Sequence, residues 1–211
     1  MLKSYSVDEY IKILRFCTSE QLIRLDPKDI ENVTPKSKIK KINNIKKFAL
    51  KKGQRIINPG YSFYYDNEND IFIDALADQD KINQDELILT NVYIEFKNMM
   101  NICYFNKDNG VIPRIYFYQL YKNNDEEDLK RFDIIYCNPS EQNLVEILIQ
   151  TEEDMKNILI VLNENSLTSY REFKLFKNKM IAFVLVKDRR LLLSDKLSDI
   201  VQKYNNYNKC K

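Results

Sequence analysis

The sequence predicts an α/β (α+β) chain, and three observations carry that reading. Its 211 residues are 44% hydrophobic and 12% aromatic, enough for one large packed domain or two small ones. Segments with apolar residues at helical spacing stand beside β-prone runs rich in Ile, Val, Phe and Tyr, which makes the class mixed. No internal repeat and no long low-complexity linker interrupts that mixture. With only 3 Gly and 5 Pro, tight turns fall to the plentiful Asn and Asp.

Taken in order, "VDEYIKILRF" places Val7, Tyr10, Ile11 and Leu14 at helical spacing behind a cap at Ser6 or Asp8. It predicts a helix running to about Cys17. "TSEQLI" reads as a turn, and "DPKDIENV" as a short second helix with Pro27 in its first turn. Residues 36–55 set Ile39, Ile42, Ile45 or Lys46, and Ala49 near one face of a lysine-rich amphipathic helix that stops at Gly53. "INPGYSFYY" reads as a turn into an aromatic strand, and "DIFIDALA" as a strand. "ELILTNVYIEFK" reads as one long strand, or a hairpin turning at Thr90-Asn91. "NICYFNKDNGVIPRIYFYQLYK" reads as a strand, a turn at Asp108-Asn109-Gly110, and another strand.

The most polar stretch, "KNNDEEDLKR" at 122–131, predicts a boundary between domains 1–124 and 125–211. Beyond it the order is strand "FDIIYC", helix "PSEQNLVEILIQTEEDMK", strand "NILIVLN", a turn at "ENSLT", strands around "YREFKLF" and "MIAFVLV", and a last helix over about 195–207. "MIAFVLV" is apolar on both faces, so it is central in a sheet or covered by another chain. In so small a module, partial cover by a partner is the expectation.

Composition excludes several chemistries. The chain has no histidine, which removes the Ser-His-Asp triad, Cys-His nucleophile pairs and His-ligated zinc. Cys17, Cys103, Cys137 and Cys210 show no CxxC spacing. Reduced, mostly buried thiols in a cytoplasm-like compartment are expected, not a zinc ribbon or a disulfide framework. No glycine-rich phosphate loop is present, and neither cofactor nor metal is expected. The opening is polar and unlike a signal peptide. No apolar run approaches the ~18–20 residues that span a bilayer, so no membrane partner is expected.

The net charge of +2 hides a basic block followed by an acidic one. Residues 36–55 carry nine cations and no acid: Lys36, Lys38, Lys40, Lys41, Lys46, Lys47, Lys51, Lys52 and Arg55. Such a stripe attracts nucleic-acid phosphates without reading sequence, or it is a solvated helix face. Residues 66–86 hold eight acids without the spacing of a calcium loop, and read as a solvated loop or a protein contact.

Glu95-x-Lys97 is the one catalytic candidate. At the end of a strand such a pair points to one side. With Asp70 or Asp74 on a neighbouring strand it would form a metal-dependent nuclease centre. The favoured reading of the pair is an ordinary exposed charged face, since such spacing is common in a chain this rich in charge, and "REFK" at 171–174 repeats it.

The segment "NILIVLNENSLTSYREFKLFKNKMIAFVLVKDRRLLLSD" resembles the end of the small poxvirus RNA polymerase subunit related to eukaryotic polymerase subunit five. The shared pattern is Phe176-Lys177-Asn178-Lys179-Met180, then "IAFVLV", then Lys187-Asp188-Arg189. "VDEYIKILRFCTSEQ" is similar to that family's opening helix. The resemblance implies a restriction-endonuclease-like jaw domain near downstream DNA and a small mixed β/α assembly module. It implies no catalytic residue, large polymerase subunits as partners, and weak or indirect DNA contact. The residues it assigns to docking are Arg171, Phe176, Lys177, Asn178, Met180, Phe183, Asp188 and Arg189. It further implies a host cytoplasmic and virion location. The chain departs from the cellular members in having no glycine after Gly110, and its last helix runs beyond the expected end.

Overall fold

A computed structural model describes residues 5–25, 40, 43–44, 55–58, 61–77, 84–108, 110–123, 126–187 and 190–209. The chain is a mixed α and β protein with two sheets. It divides into two compact units, Lys3–Thr90 and Asn91–Lys211. Among the described residues, no helix is long and apolar enough to cross a membrane.

The N-terminal unit opens with α1 (Val7–Leu14). Ser6 and Glu9 form a reciprocal capping box, the Glu9 amide donating to Ser6 and the Ser6 amide to Glu9, which satisfies two amides that the first helical turn leaves over. Val7, Tyr10, Ile11 and Leu14 form its buried face. The helix ends at Arg15, in a left-handed conformation, two residues before the predicted end. Cys17 belongs instead to β1 (Phe16–Thr18), and "TSEQLI" is largely helical, within α2 (Ser19–Leu25). Gln21 explains that change: its amide and side chain bond Thr18, and its amide nitrogen donates to the Leu87 carbonyl at 2.8 Å. The strands β2 (Arg55–Asn58), β3 (Tyr61–Asp66) and β4 (Ile71–Asp74) complete an antiparallel sheet in the order β1-β4-β3-β2. The acidic turn between β3 and β4 is built on Asp66, which accepts from Glu68 and Asn69. The Asn69 side chain, first among these donors, holds the Asp66 carboxyl below its ordinary range.

The predicted strand over "ELILTNVYIEFK" is a helix, α3 (Gln84–Met99). Its buried residues include Leu87, Leu89, Val92, Ile94 and Phe96, so apolar side chains surround much of its circumference and no clean period marks either structure. Length decides: sixteen residues with buried apolar side chains on most sides suit a buried helix better than a strand. Asp85 and Glu86 in its first turn and Lys97 in its last complement the helix dipole.

The C-terminal unit is built on a six-stranded sheet in the order β10-β9-β8-β7-β6-β5. The strands are β5 (Ile102–Asp108), β6 (Arg114–Asn123), β7 (Glu126–Cys137), β8 (Asn157–Leu162), β9 (Met180–Lys187) and β10 (Arg190–Ser194). The boundary expected at 122–131 falls instead on the β6–β7 hairpin, whose register runs unbroken from Arg114↔Ile135 to Asn123↔Glu126, and the two units divide at Thr90 and Asn91. A stretch that is polar because it forms an exposed hairpin end has the composition of a linker.

Strands β7, β8 and β9 are parallel neighbours, so each step between them needs a crossover. The first is α4 (Gln142–Thr151). The second is residues 163–179, which contain a 3₁₀ turn and then no regular structure. Both pack on one sheet face with α5 (Leu197–Lys209) around Ile135, Val145, Ile149, Ile160, Phe183 and Ile200. The strand expected at "YREFKLF" is therefore part of a crossover. The β9 segment sits inside the sheet, paired on both edges, and buries Phe183 and Leu185 on one face and Val184 on the other. β10 was missed by the sequence reading and adds the outer edge.

Candidate docking groove

Residues 170–176 form a strap along α4. Tyr170, Phe173 and Phe176 recur every third residue, a period of neither strand nor α-helix but of extended three-fold chain. Tyr170 has φ −78° and ψ 139°, buries its ring and donates its hydroxyl to the Cys137 carbonyl while accepting from the Asn163 amide at 2.9 Å. Burial, aided by Glu141 and Glu146, pushes the Cys137 thiol up to about 12, which makes it an inert packing residue.

A strap without a ladder must satisfy its backbone otherwise. Gln142 does this at Arg171, donating to its carbonyl at 2.9 Å and accepting from its amide at 3.2 Å. One turn on, Glu146 is 3% exposed. It receives both guanidinium nitrogens of Arg171 at 2.9 Å and the Lys174 amide at 3.3 Å. Burial pushes the Glu146 carboxyl up, but the Arg171 bonds, the Lys174 amide and both positive charges outweigh it, so its pKa falls below the ordinary range. The same bonds raise that of Arg171. The result is a bidentate clamp that fixes an irregular segment.

The clamped strap borders a groove of about 480 Å³. Its apolar lining is Phe173, Phe176, Ile181 and Phe183, with the Phe173 and Phe183 rings 5.2 Å apart. Leu175 at 101% exposure and Met180 at 65% form lips that project into solvent. Lys174, Lys179 and Lys196 stand around it with Glu172 and Asp195. Lys179 donates to the Glu152 carbonyl. The strap leaves through a tight turn in which the Lys179 amide donates to the Phe176 carbonyl at 3.3 Å and Asn178 takes φ 61°, a left-handed conformation that Asn tolerates better than most side chains.

Of the docking residues named from sequence, Phe176, Met180 and Phe183 line this groove. Arg171 forms its clamp, and Lys177 and Asn178 are exposed in its turn. Asp188 and Arg189 lie outside the described residues. The sequence reading missed Gln142, Glu146, Lys174, Leu175 and Lys196. A signal for two of them existed: Gln142 and Glu146 sit four apart on a helix and are both buried, which places a polar pair inside an apolar stripe.

Of the basic block, Lys40 is helical and exposed, and Arg55 pairs with Phe63 in the β2–β3 ladder. Lys36, Lys38, Lys41, Lys46, Lys47, Lys51 and Lys52 lie outside the described residues.

The nuclease candidates do not keep their predicted geometry. On α3, Glu95 and Lys97 are separated by about 200° of helical rotation, so they do not share the face a strand would give them. Asp70 has φ 55° and accepts from Ser19 and Tyr65, each at 2.6 Å. Asp74 is buried and accepts from the Leu76 amide. Among the described residues, no three Asp, Glu, Cys or His side chains are gathered as a metal site. No protein-family model, no curated protein and no solved structure matches the chain.

Proposed function

We propose that this chain is a non-catalytic small subunit of a multisubunit, viral-type DNA-dependent RNA polymerase, and that its C-terminal unit docks on the large subunits through the strap groove. One observation carries the reading. Phe176, Lys179 and Met180, from the segment on which the poxvirus subunit resemblance rests, line one groove with Phe183, and its apolar lips are exposed. Leu175 is fully exposed on a segment held by the buried Glu146 carboxylate and two glutamine bonds, and its own side chain adds nothing to the unit's core, so this surface suits an interaction. The basic block of residues 36–55 would steady downstream DNA by phosphate attraction alone, with affinity that falls steeply as salt rises. The host cytoplasm and the virion are the compartments this reading assigns.

The nuclease alternative expects Glu95 and Lys97 on one face of a strand, whereas both lie on α3, about 200° apart around its axis. Affinity capture of the tagged chain from the cells that naturally make it tests the proposal. RNA polymerase activity on a nicked DNA template should follow the chain through successive columns. A chain that separates cleanly from that activity at low salt contradicts it.

A further inference from the structure

We infer that the strap groove takes an extended segment of the partner in which a large apolar side chain is flanked by Asp or Glu. This rests on the docking reading above and adds the chemistry of what is docked. The apolar lining of Phe173, Phe176, Ile181 and Phe183 sets the first requirement. A space of about 480 Å³ holds an aromatic or branched aliphatic side chain with part of its neighbour. The projecting lips at Leu175 and Met180 set the second. A small ligand is enclosed by its site, whereas lips this exposed are covered only by a chain that continues past the groove.

Charge sets the third requirement. Among the described residues, the carboxylate that serves both Arg171 and Lys174 is Glu146, and it is committed to the bidentate guanidinium. The Lys174 ammonium stands off at 3.7 Å, with its side chain 69% exposed. Lys174 therefore keeps most of its positive field facing solvent. Lys196 and Lys177 are exposed beside it. Cations outnumber carboxylates around the groove and its clamp, so acidic flanks are attracted and basic flanks repelled. Because the strap is already fixed, little ordering opposes binding.

Small probes carry the two features separately. The full-length chain, labelled on its methyl groups, is titrated with 3-phenylpropionate and with phenethylamine, an anion and a cation bearing the same ring. The Leu175, Met180 and Ile181 methyl resonances should shift and saturate with 3-phenylpropionate, at least threefold more tightly than with phenethylamine. In Lys174→Glu/Lys196→Glu, folded by its methyl dispersion, the order should reverse. Equal or tighter binding of phenethylamine to the unaltered chain, or no shift of those methyls with either probe, overturns the inference. Polymerase subunits that still co-purify after such a result leave the docking reading standing. Their absence from the capture removes that reading whatever the probes do.

Discussion

The tripeptide Glu-Phe-Lys occurs twice in this unit, at 95–97 and at 172–174, in two unlike conformations. In α3 its phenylalanine, Phe96, is 2% exposed and packs 6.1 Å from the Phe117 ring. In the strap, Phe173 is half-buried and lines an open groove. The acid and the lysine of the helical copy leave in nearly opposite directions, while in the strap Lys174 is drawn to Glu146 by its own amide. Identical local sequence thus gives a core element in one place and a surface element in the other. What differs is context: a helix buried on most of its sides around the first, a parallel crossover and a buried carboxylate around the second. Propensity yields to tertiary packing here.

The largest effect expected from this contrast is on stability. Phe96→Ala should cost about 3–5 kcal/mol, as buried aromatic truncations do, and Phe173→Ala about 1–2 kcal/mol, roughly half of a fully buried side chain. Chemical denaturation of both variants measures this. Equal costs would break the comparison, because they would make the strap a core element.

Binding should respond in the reverse order. Leu175→Asp should leave stability within about 0.5 kcal/mol, as an exposed substitution does. Capture of large polymerase subunits should nevertheless fall by at least tenfold, read by quantitative mass spectrometry of the captured material. Loss of stability in place of loss of capture would show that Leu175 is structural.

Acid titration sharpens the role of the clamp. The folded-state pKa of Glu146 is lowered, so its contribution is fully present above the unfolded value of about 4.3 and is lost as pH falls through the lower folded value. Glu146→Gln should flatten the fall in stability across that window and be less stable than the unaltered chain near neutral pH. Thermal midpoints taken from pH 7 to pH 3 measure it. A parallel pH profile in the two proteins would contradict the assignment.

The smallest effect belongs to the helical Glu-Phe-Lys. Glu95→Ala and Lys97→Ala should leave linear and supercoiled DNA as intact in Mg²⁺ or Mn²⁺ as the unaltered chain does. Cleavage by the unaltered chain that either substitution abolishes would restore the nuclease reading.

Much of the fold could be read from the sequence, and the failures share a cause. The opening helix declared itself through the spacing of Val7, Tyr10, Ile11 and Leu14 behind a cap at Ser6, and the β5–β6 pair through the turn expected at Asp108-Asn109-Gly110. "MIAFVLV" declared itself as a strand, but its parallel pairing with β8 did not, because pairing is a property of two distant segments. Once that pairing is known, the chain between them must cross over, and "YREFKLF" is excluded as a strand. α3 was misread because burial on nearly all sides erases the period that separates helix from strand. At the site, Phe176, Met180 and Phe183 were named only through the family resemblance. Glu146 was not named, because its partner Arg171 lies 25 residues away.

Cross-linking mass spectrometry of the captured complex with a lysine-reactive reagent tests the central claim most directly, since Lys174, Lys177 and Lys196 stand exposed beside the groove. The account predicts that these lysines cross-link to a large polymerase subunit at peptides containing an apolar residue among acids, and that the links disappear with Leu175→Asp. A complex in which these three lysines link only within their own chain, or in which no large polymerase subunit is present, would contradict it.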